Sequence, residues 1–113
     1  MSDSIPSEIT AEPVVTRDDR QERYEIHLGD VLAGFTEFVV DERGRLVFPH
    51  TEVDPAFRGR GYATTLIAGA MADVAARGET VVPRCPSVVR YLKQHDVTGL
   101  TVDWPTLDGE RVG

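Results

Sequence analysis

Two short segments of the chain carry residue types and spacings that can do chemistry. The first, VDPAFRGRGYAT at residues 53–64, places two glycines and two arginines where a predicted strand gives way to a predicted helix. The first N–H groups of a helix have no partners within the helix, and the helix dipole adds partial positive charge there. A glycine-containing turn that opens a helix therefore favours binding of a phosphate group.

The second segment contains the only cysteine of the chain, Cys85. Pro86 suits the first turn of a helix, which places Cys85 near the N-cap. A thiolate at that position is stabilised by the helix N-terminus and by the adjacent Arg84, and it could act as a nucleophile. The alternative is a small buried cysteine that serves packing.

Two common nucleotide-binding motifs do not fit the glycine turn. The P-loop ends in Gly-Lys-Ser or Gly-Lys-Thr, which this segment lacks. The spacing of the dinucleotide fingerprint, counted from Gly59 and Gly61, requires a third glycine where Thr64 stands. The turn therefore predicts a phosphate site of another kind.

Composition bounds the class of protein. A chain of 113 residues with a hydrophobic share of 41% suits one modest domain. The net charge is −7, and residues 1–42 hold eleven acidic and three basic residues, which makes that part −8. An acidic chain argues against general nucleic-acid binding, whereas the window 55–95, with six basic residues against two acidic ones, suits a small polyanion.

Localisation and metal binding are predicted from features that the sequence lacks. The N-terminus has neither the basic start nor the apolar core of a secretory signal, and no apolar run is long enough to span a membrane. One cysteine excludes an internal disulfide, and the spacing of the histidines with Cys85 does not match a metal site. We expect a cytoplasmic protein without a metal, a nucleic-acid partner or a membrane partner, either monomeric or homodimeric.

Hydrophobic patterning predicts an α+β fold. Alternation predicts an antiparallel meander of three strands, at 23–28, 31–40 and 45–53, with a tight turn at Gly29–Asp30 and a bulge or edge position at Pro49. This is followed by a helix, a parallel strand and a second helix.

The second half of the chain changes to helical periodicity. Apolar residues fall on one face over 62–77, and Gly78 fits the end of that helix. A short strand at 79–83 follows a crossover of helical length, so it should run parallel to the third strand. A second helix begins at Pro86, and a last short strand covers 97–102.

These motifs carry a family resemblance. The pattern Arg58-x-x-Gly61-x-Ala63 resembles the acyl-coenzyme A loop of the GNAT acetyltransferase superfamily, Arg/Gln-x-x-Gly-x-Gly/Ala. More narrowly, the chain resembles the compact GNAT-like family, which pairs a His-Thr-x-Val strand end with a later Pro-x-Cys-Pro/Ser segment and a downstream tyrosine. The matching segments here are His50–Val53, Pro83–Pro86 and Tyr91.

The resemblance covers residues 20–102 and implies a GNAT-like mixed sheet that binds acetyl-coenzyme A. Residues 1–19 mix Ser, Pro, Glu and Asp with few large apolar side chains, which predicts a mobile N-terminal tail, and residues 103–113 are predicted to form a C-terminal tail. The implied activity is N-acetyltransfer to an unidentified amine. The alternative is a module or sensor that binds coenzyme A without turnover.

The resemblance also assigns positions to the cosubstrate. Backbone amides from Arg58 to Ala63 would hold the pyrophosphate, and Val53 would face the pantetheine arm, which fills a gap between the third strand and the next parallel one. The positions implied at coenzyme A are Val53, Arg58, Gly59, Arg60, Gly61, Tyr62, Ala63 and Thr64.

Four residues are candidates for the chemistry. Cys85 either takes the acetyl group or lines the thioester pocket. His50 suits a base near neutral pH and shares a strand face with Glu52, although a backbone-bonded histidine and a solvated carboxylate are the alternatives. Tyr91 suits protonation of the leaving thiolate, or is an amphipathic residue at the core margin.

One departure from larger GNAT enzymes concerns the acceptor side. Those enzymes have a helical segment between the first two strands, whereas here only Gly29–Asp30 joins them. We therefore expect an acceptor side that is open or completed by a partner, which suits a protein or peptide amine or a homodimer.

Overall fold

A computed structural model describes residues 12–105 as an α+β fold with one mixed sheet of six strands, in the order β1-β2-β3-β4-β5-β6. Two helices and one turn of 3-10 helix, Pro55–Phe57, complete the described structure. The strands are β1 (Pro13–Asp18), β2 (Arg23–Leu28), β3 (Val31–Val40), β4 (Leu46–Val53), β5 (Thr80–Pro83) and β6 (Thr101–Val102); the helices are α1 (Tyr62–Ala76) and α2 (Pro86–Gln94).

The antiparallel part of the sheet has four strands, one more than the sequence indicated. β1 pairs antiparallel with β2 along its whole length, from Pro13 opposite Leu28 to Asp18 opposite Arg23. The mobile tail predicted over residues 1–19 is therefore wrong for β1. The mixture of polar and apolar residues in this segment does not indicate an edge strand from the sequence alone. Residues 1–11 lie outside the described residues, as do residues 106–113 of the predicted C-terminal tail.

A bulge near Pro49 changes which side chains of β4 face the core. The register between β3 and β4 shifts between Glu37 and Val39, so β4 has one residue more than β3 at this point. Leu46 and Phe48 are buried before the bulge, whereas His50 and Glu52 are exposed after it. Proline is tolerated at this bulge because it has no N–H to donate to a neighbouring strand.

The predicted parallel pairing of β5 with β4 is confirmed. It extends only from Leu46 opposite Val81 to Phe48 opposite Pro83. β6 then pairs in parallel with β5, but it is shorter than the strand predicted at 97–102.

Both helices lie against one face of the sheet and share a single core with it. α1 places five buried side chains on that face, which confirms the predicted helical stripe. α2 adds Val88, which is fully buried. Each large apolar side chain removed from water in this way contributes about 1.5–3 kcal/mol. The buried residues of α1 are Leu66, Ile67, Ala70, Met71 and Val74.

A network of polar side chains connects the edge strand β1 to the C-terminal end of α1. The Arg17 side chain, 10% exposed, donates to Glu79 at 2.8 Å, and its guanidinium carbon lies 4.8 Å from the Phe38 ring centroid. Arg17 also donates to the Tyr24 hydroxyl, which in turn donates to Asp73 at 2.7 Å. Burial raises the pKa of Tyr24, so this hydroxyl stays a donor.

We expect Asp73→Asn to destabilise the protein at neutral pH and to matter less in acid. Burial opposes ionisation of Asp73, but hydrogen bonds from Tyr24 and Arg77 outweigh it and lower the pKa of this carboxyl below 3.8. A lowered folded-state pKa gives stability above the unfolded pKa, and this stability is lost as pH falls through the folded value. Urea unfolding of both proteins should give a stability gap that shrinks between neutral pH and about pH 3. An equal gap at both pH values would contradict the charge argument.

Candidate functional site

The glycine turn forms an open cradle at the start of α1. Gly59 and Gly61 have φ values of +79° and +82°, in the left-handed region that favours glycine. Gly61 is the N-cap of α1, and nothing lies within 4 Å of where its Cβ would be. The space in front of this backbone is therefore free for a ligand.

The backbone N–H groups at the start of α1 are available to an anion. The first hydrogen bond of the helix runs from the Thr65 N–H to the Gly61 carbonyl, at 3.1 Å. The N–H groups of Gly61, Tyr62, Ala63 and Thr64 precede it and have no carbonyl within the helix. The N–H of Arg58, by contrast, donates to the Pro55 carbonyl at 3.3 Å, so the free amides begin after it.

Three cationic side chains lie in or beside this cradle, with Arg58 and Arg60 in the turn itself and Arg90 in a groove that Ala63 and Thr64 also line. Arg58 donates from Nε to the Val53 carbonyl at 3.1 Å, which holds its guanidinium beside the end of β4. Three charged residues of the basic window are paired away from the cradle, since Arg77 pairs with Asp73 and Glu79 pairs with Arg17. In the described part of the chain, no salt bridge engages the remaining five basic residues of the window, Arg58, Arg60, Arg84, Arg90 and Lys93.

β4 loses its neighbour beyond Phe48, and this opens a gap in the sheet. The chain leaves β5 at this point, because the N–H groups of Arg84 and Cys85 both donate to the Phe48 carbonyl, at 3.1 and 2.8 Å. β4 continues to Val53 with β3 on one side only, as far as the described residues show. This places an unpaired strand edge directly before the glycine cradle.

The backbone groups along that edge point into the gap. The Asp54 N–H donates to the Ala33 carbonyl at 2.8 Å, across the ladder with β3. Because backbone groups alternate between the two edges of a strand, those of Thr51 and Val53 point away from β3. The Arg58 contact with the Val53 carbonyl agrees with this direction.

Cys85 lies at the mouth of the gap as the N-cap of α2, followed by Pro86 at the first helical position. Its side chain makes no capping bond and is only 4% exposed. The thiol instead donates to the Thr51 hydroxyl across the gap, at 3.2 Å. The predicted N-cap position is confirmed, and the thiol is directed toward β4.

His50 and Glu52 lie together on the opposite face of β4. The His50 Nε2 and the Glu52 Oε2 are 2.8 Å apart, and both side chains are about half exposed, at 48% and 57%. The Phe35 ring lies beside His50, with the ring centroids 6.3 Å apart. The structure therefore joins these two candidates to each other and separates them from Cys85 by the thickness of the sheet.

Tyr91 lies along a groove between the two helices. Its ring stacks on His95 with centroids 4.2 Å apart, which fixes its orientation. The groove starts at the cradle, because Ala63 and Thr64 line it together with Arg90 and Tyr91. Tyr91 thus borders the cradle, and no described hydrogen bond joins its hydroxyl to Cys85 or His50.

A family comparison agrees with this geometry. The sequence model of the GCN5-related N-acetyl-transferase family matches residues 23–99. The chain belongs to this family. A search of curated proteins finds no match.

The match to this GCN5-related family spans β2 to α2 and includes the cradle and the gap. The match does not include β1, which lies at the edge of the sheet. Within residues 12–105 no group of three or more His, Cys, Asp or Glu side chains is arranged to hold a metal ion. None of the described helices has the length and apolar character needed to cross a membrane.

Sequence reasoning missed two residues at the site. Thr36 is fully buried, and its hydroxyl lies 2.8 Å from that of Thr51, which contacts Cys85. Strict alternation from Phe48 would have placed Thr51 on the exposed face. The signal that could have corrected this is Pro49, since a bulge there reverses the alternation of every later residue in the strand.

Proposed function

We propose that this protein is an acetyl-coenzyme A-dependent N-acetyltransferase. The observation that carries the proposal is the unpaired edge of β4 from Thr51 to Val53, which ends at a glycine cradle with free helix N–H groups. An extended arm can pair with such an edge as an added strand, and a pyrophosphate can bind at the cradle. Family membership supports acetyl transfer as the chemistry.

The residues present fit the parts of coenzyme A. The amides of Gly61 to Thr64 would hold the pyrophosphate, with Gly59 shaping the turn. Arg60 would add charge beside them, and the backbone of Val53 would bind the pantetheine arm. The bound cosubstrate supplies an activated acetyl thioester, and the chain supplies its orientation.

The two faces of β4 would then act on the reacting atoms from opposite sides. An amine must be neutral to attack a thioester, so a base near neutral pH assists it. His50, paired with Glu52 on the open face, suits this role. Cys85 lies on the helix-covered face, close to where the leaving sulfur would be.

The acceptor is proposed to approach the open face of the sheet. Leu28 and Val31 pair directly around the Gly29–Asp30 turn, so no helix covers this side between β2 and β3. Phe35, Glu52 and Val53 line a shallow groove there, at the end of β4. A wide, uncovered face suits a protein or peptide amine.

The second candidate function is binding of coenzyme A without turnover. The exposed acceptor face favours it, because nothing in the described structure encloses an amine. Calorimetry with acetyl-coenzyme A, followed by an assay of thiol release across a panel of amines, separates the two functions. The enzyme binds the cosubstrate and releases the thiol when an acceptor is added, whereas the module binds without release.

We expect coenzyme A affinity to weaken with added salt, because exposed cations attract its phosphates and salt screens them. Arg58→Ala combined with Arg60→Ala should reduce that salt dependence. Calorimetry at several salt concentrations measures this. The matched control is Arg43→Ala with Arg20→Ala, two exposed arginines outside the basic window. An unchanged salt slope in the loop variant would mean that backbone amides hold the phosphates alone.

A further inference from the structure

A chain of side-chain hydrogen bonds runs from Cys85 into the sheet. The Cys85 Sγ lies 3.2 Å from the Thr51 Oγ1, which lies 2.8 Å from the Thr36 Oγ1. The Thr36 hydroxyl reaches the His50 carbonyl at a longer distance of 3.4 Å. Thr36 is fully buried and Cys85 is 4% exposed, so water competes little for these contacts.

Because each threonine hydroxyl can donate or accept, this series of hydrogen bonds can run in two directions. In the first, the thiol donates to Thr51, Thr51 donates to Thr36, and Thr36 donates to the His50 carbonyl. In the second, Thr36 donates to Thr51 and Thr51 donates to a thiolate at Cys85. Only the longest contact, to the carbonyl, is given up in the second direction, and rotation of two hydroxyls connects the two states.

We propose that Thr51 and Thr36 are positioning residues that let Cys85 act as the proton donor to the leaving sulfur of coenzyme A. This proposal rests on the proposed acetyltransferase function. As the amine nitrogen bonds to the acetyl carbon and the carbon–sulfur bond breaks, the electron pair stays on the sulfur. The Cys85 proton moves to that sulfur, and Thr51 turns its hydroxyl to the new thiolate. The proton lost by the amine nitrogen leaves through His50 or solvent, and Cys85 recovers a proton from solvent after release.

The same hydrogen bonds argue against activation of Cys85 by a neighbouring base. An adjacent base is one way to activate a thiol as a nucleophile, and this series of hydrogen bonds offers none, because it ends at the His50 backbone carbonyl. His50 and Glu52 lie on the other face of β4. The other titratable groups from Arg84 to the end of α2 are Arg84, Arg90, Tyr91 and Lys93, and neither threonine facing the thiol carries a charge.

Titration of the thiol tests the proposal without any turnover. Cys85 is the only cysteine, so an isotope-labelled cysteine Cβ gives one NMR signal that reports its ionisation. A hydrogen bond to a charged form is stronger than one to a neutral form, so Thr51 should favour the thiolate. Thr51→Val should therefore raise the titration midpoint by about one pH unit, and Thr51→Ser should restore it. Thr36→Val should raise it by less.

Thr16→Val is the control for the exchange of threonine by valine. Thr16→Val makes the same change on exposed β1 and should leave the midpoint unchanged. An unchanged or lower midpoint in Thr51→Val, or a wild-type thiol that never ionises while folded, would overturn the proposal.

A kinetic arm separates this proposal from the proposed function. If transfer occurs, Thr51→Val should lower kcat about tenfold without weakening coenzyme A binding, and Thr51→Ser should rescue it. A shifted midpoint in a protein that never transfers acetyl would support the hydrogen bonding of Thr51 to the Cys85 thiolate and contradict the proposed acetyltransferase function. An unshifted midpoint in an active enzyme would support the function and contradict the role of Thr51.

Discussion

Gly61→Val should weaken coenzyme A binding at least tenfold, or about 1.4 kcal/mol. Gly61 has φ = +82° at the N-cap of α1, a conformation that a branched residue adopts only with strain. Relief of that strain would turn the free N–H groups away from a common target. The valine side chain would also occupy the open space in front of the cradle. Calorimetry with coenzyme A measures the loss.

Gly44→Val is the matched control for backbone strain. Gly44 has φ = +78°, nothing lies within 4 Å of where its Cβ would be, and it lies in the turn between β3 and β4. Both variants should lose similar stability, yet only Gly61→Val should lose affinity. Equal coenzyme A affinity in wild type and Gly61→Val would contradict binding of the pyrophosphate at the start of α1.

Cys85→Ala should slow acetyl transfer about a hundredfold while coenzyme A affinity stays close to wild type. The loss follows from the missing proton donor, whereas binding depends on the cradle and on the edge of β4. Steady-state rates and calorimetry on the same variant give both quantities.

The covalent alternative makes a different prediction for the same residue. If Cys85 takes the acetyl group, acetyl-coenzyme A alone should leave the protein about 42 mass units heavier, and hydroxylamine should remove this adduct. We expect no adduct, because oriented binding supplies much of the acceleration that direct attack needs. A stoichiometric thioester at Cys85 that acetylates an added amine would contradict direct attack. A full rate in Cys85→Ala would contradict both roles.

The parts of the fold that local patterns determine could be predicted from the sequence. The helical stripe of α1, the glycine at its N-cap and Pro86 at the start of α2 are each set by a few neighbouring residues, and the structure confirms them. The parallel pairing of β5 with β4 followed from the length of the crossover between them.

Features that depend on distant residues could not be predicted. β1 is held by pairing with β2 and by the contact of Arg17 with Glu79, which are partners that no local pattern reveals. The contact between Cys85 and Thr51 needs both the bulge near Pro49 and the departure of the chain from β5. Sequence reasoning therefore singled out Cys85 and His50 as candidates but not Thr51 and Thr36, which link the Cys85 thiol to the His50 carbonyl.

Transfer of an isotope-labelled acetyl group tests the central claim most directly. The full chain is incubated with labelled acetyl-coenzyme A and with peptides and small amines, and mass spectrometry locates the label. We predict label on an amine nitrogen, with one coenzyme A thiol released for each acetyl group transferred. Wild type and Gly44→Val should transfer it at similar rates, and Gly61→Val should transfer it at least about tenfold more slowly at cosubstrate concentrations below saturation. Acetyl-coenzyme A that binds at the cradle but stays intact with every amine would contradict the account.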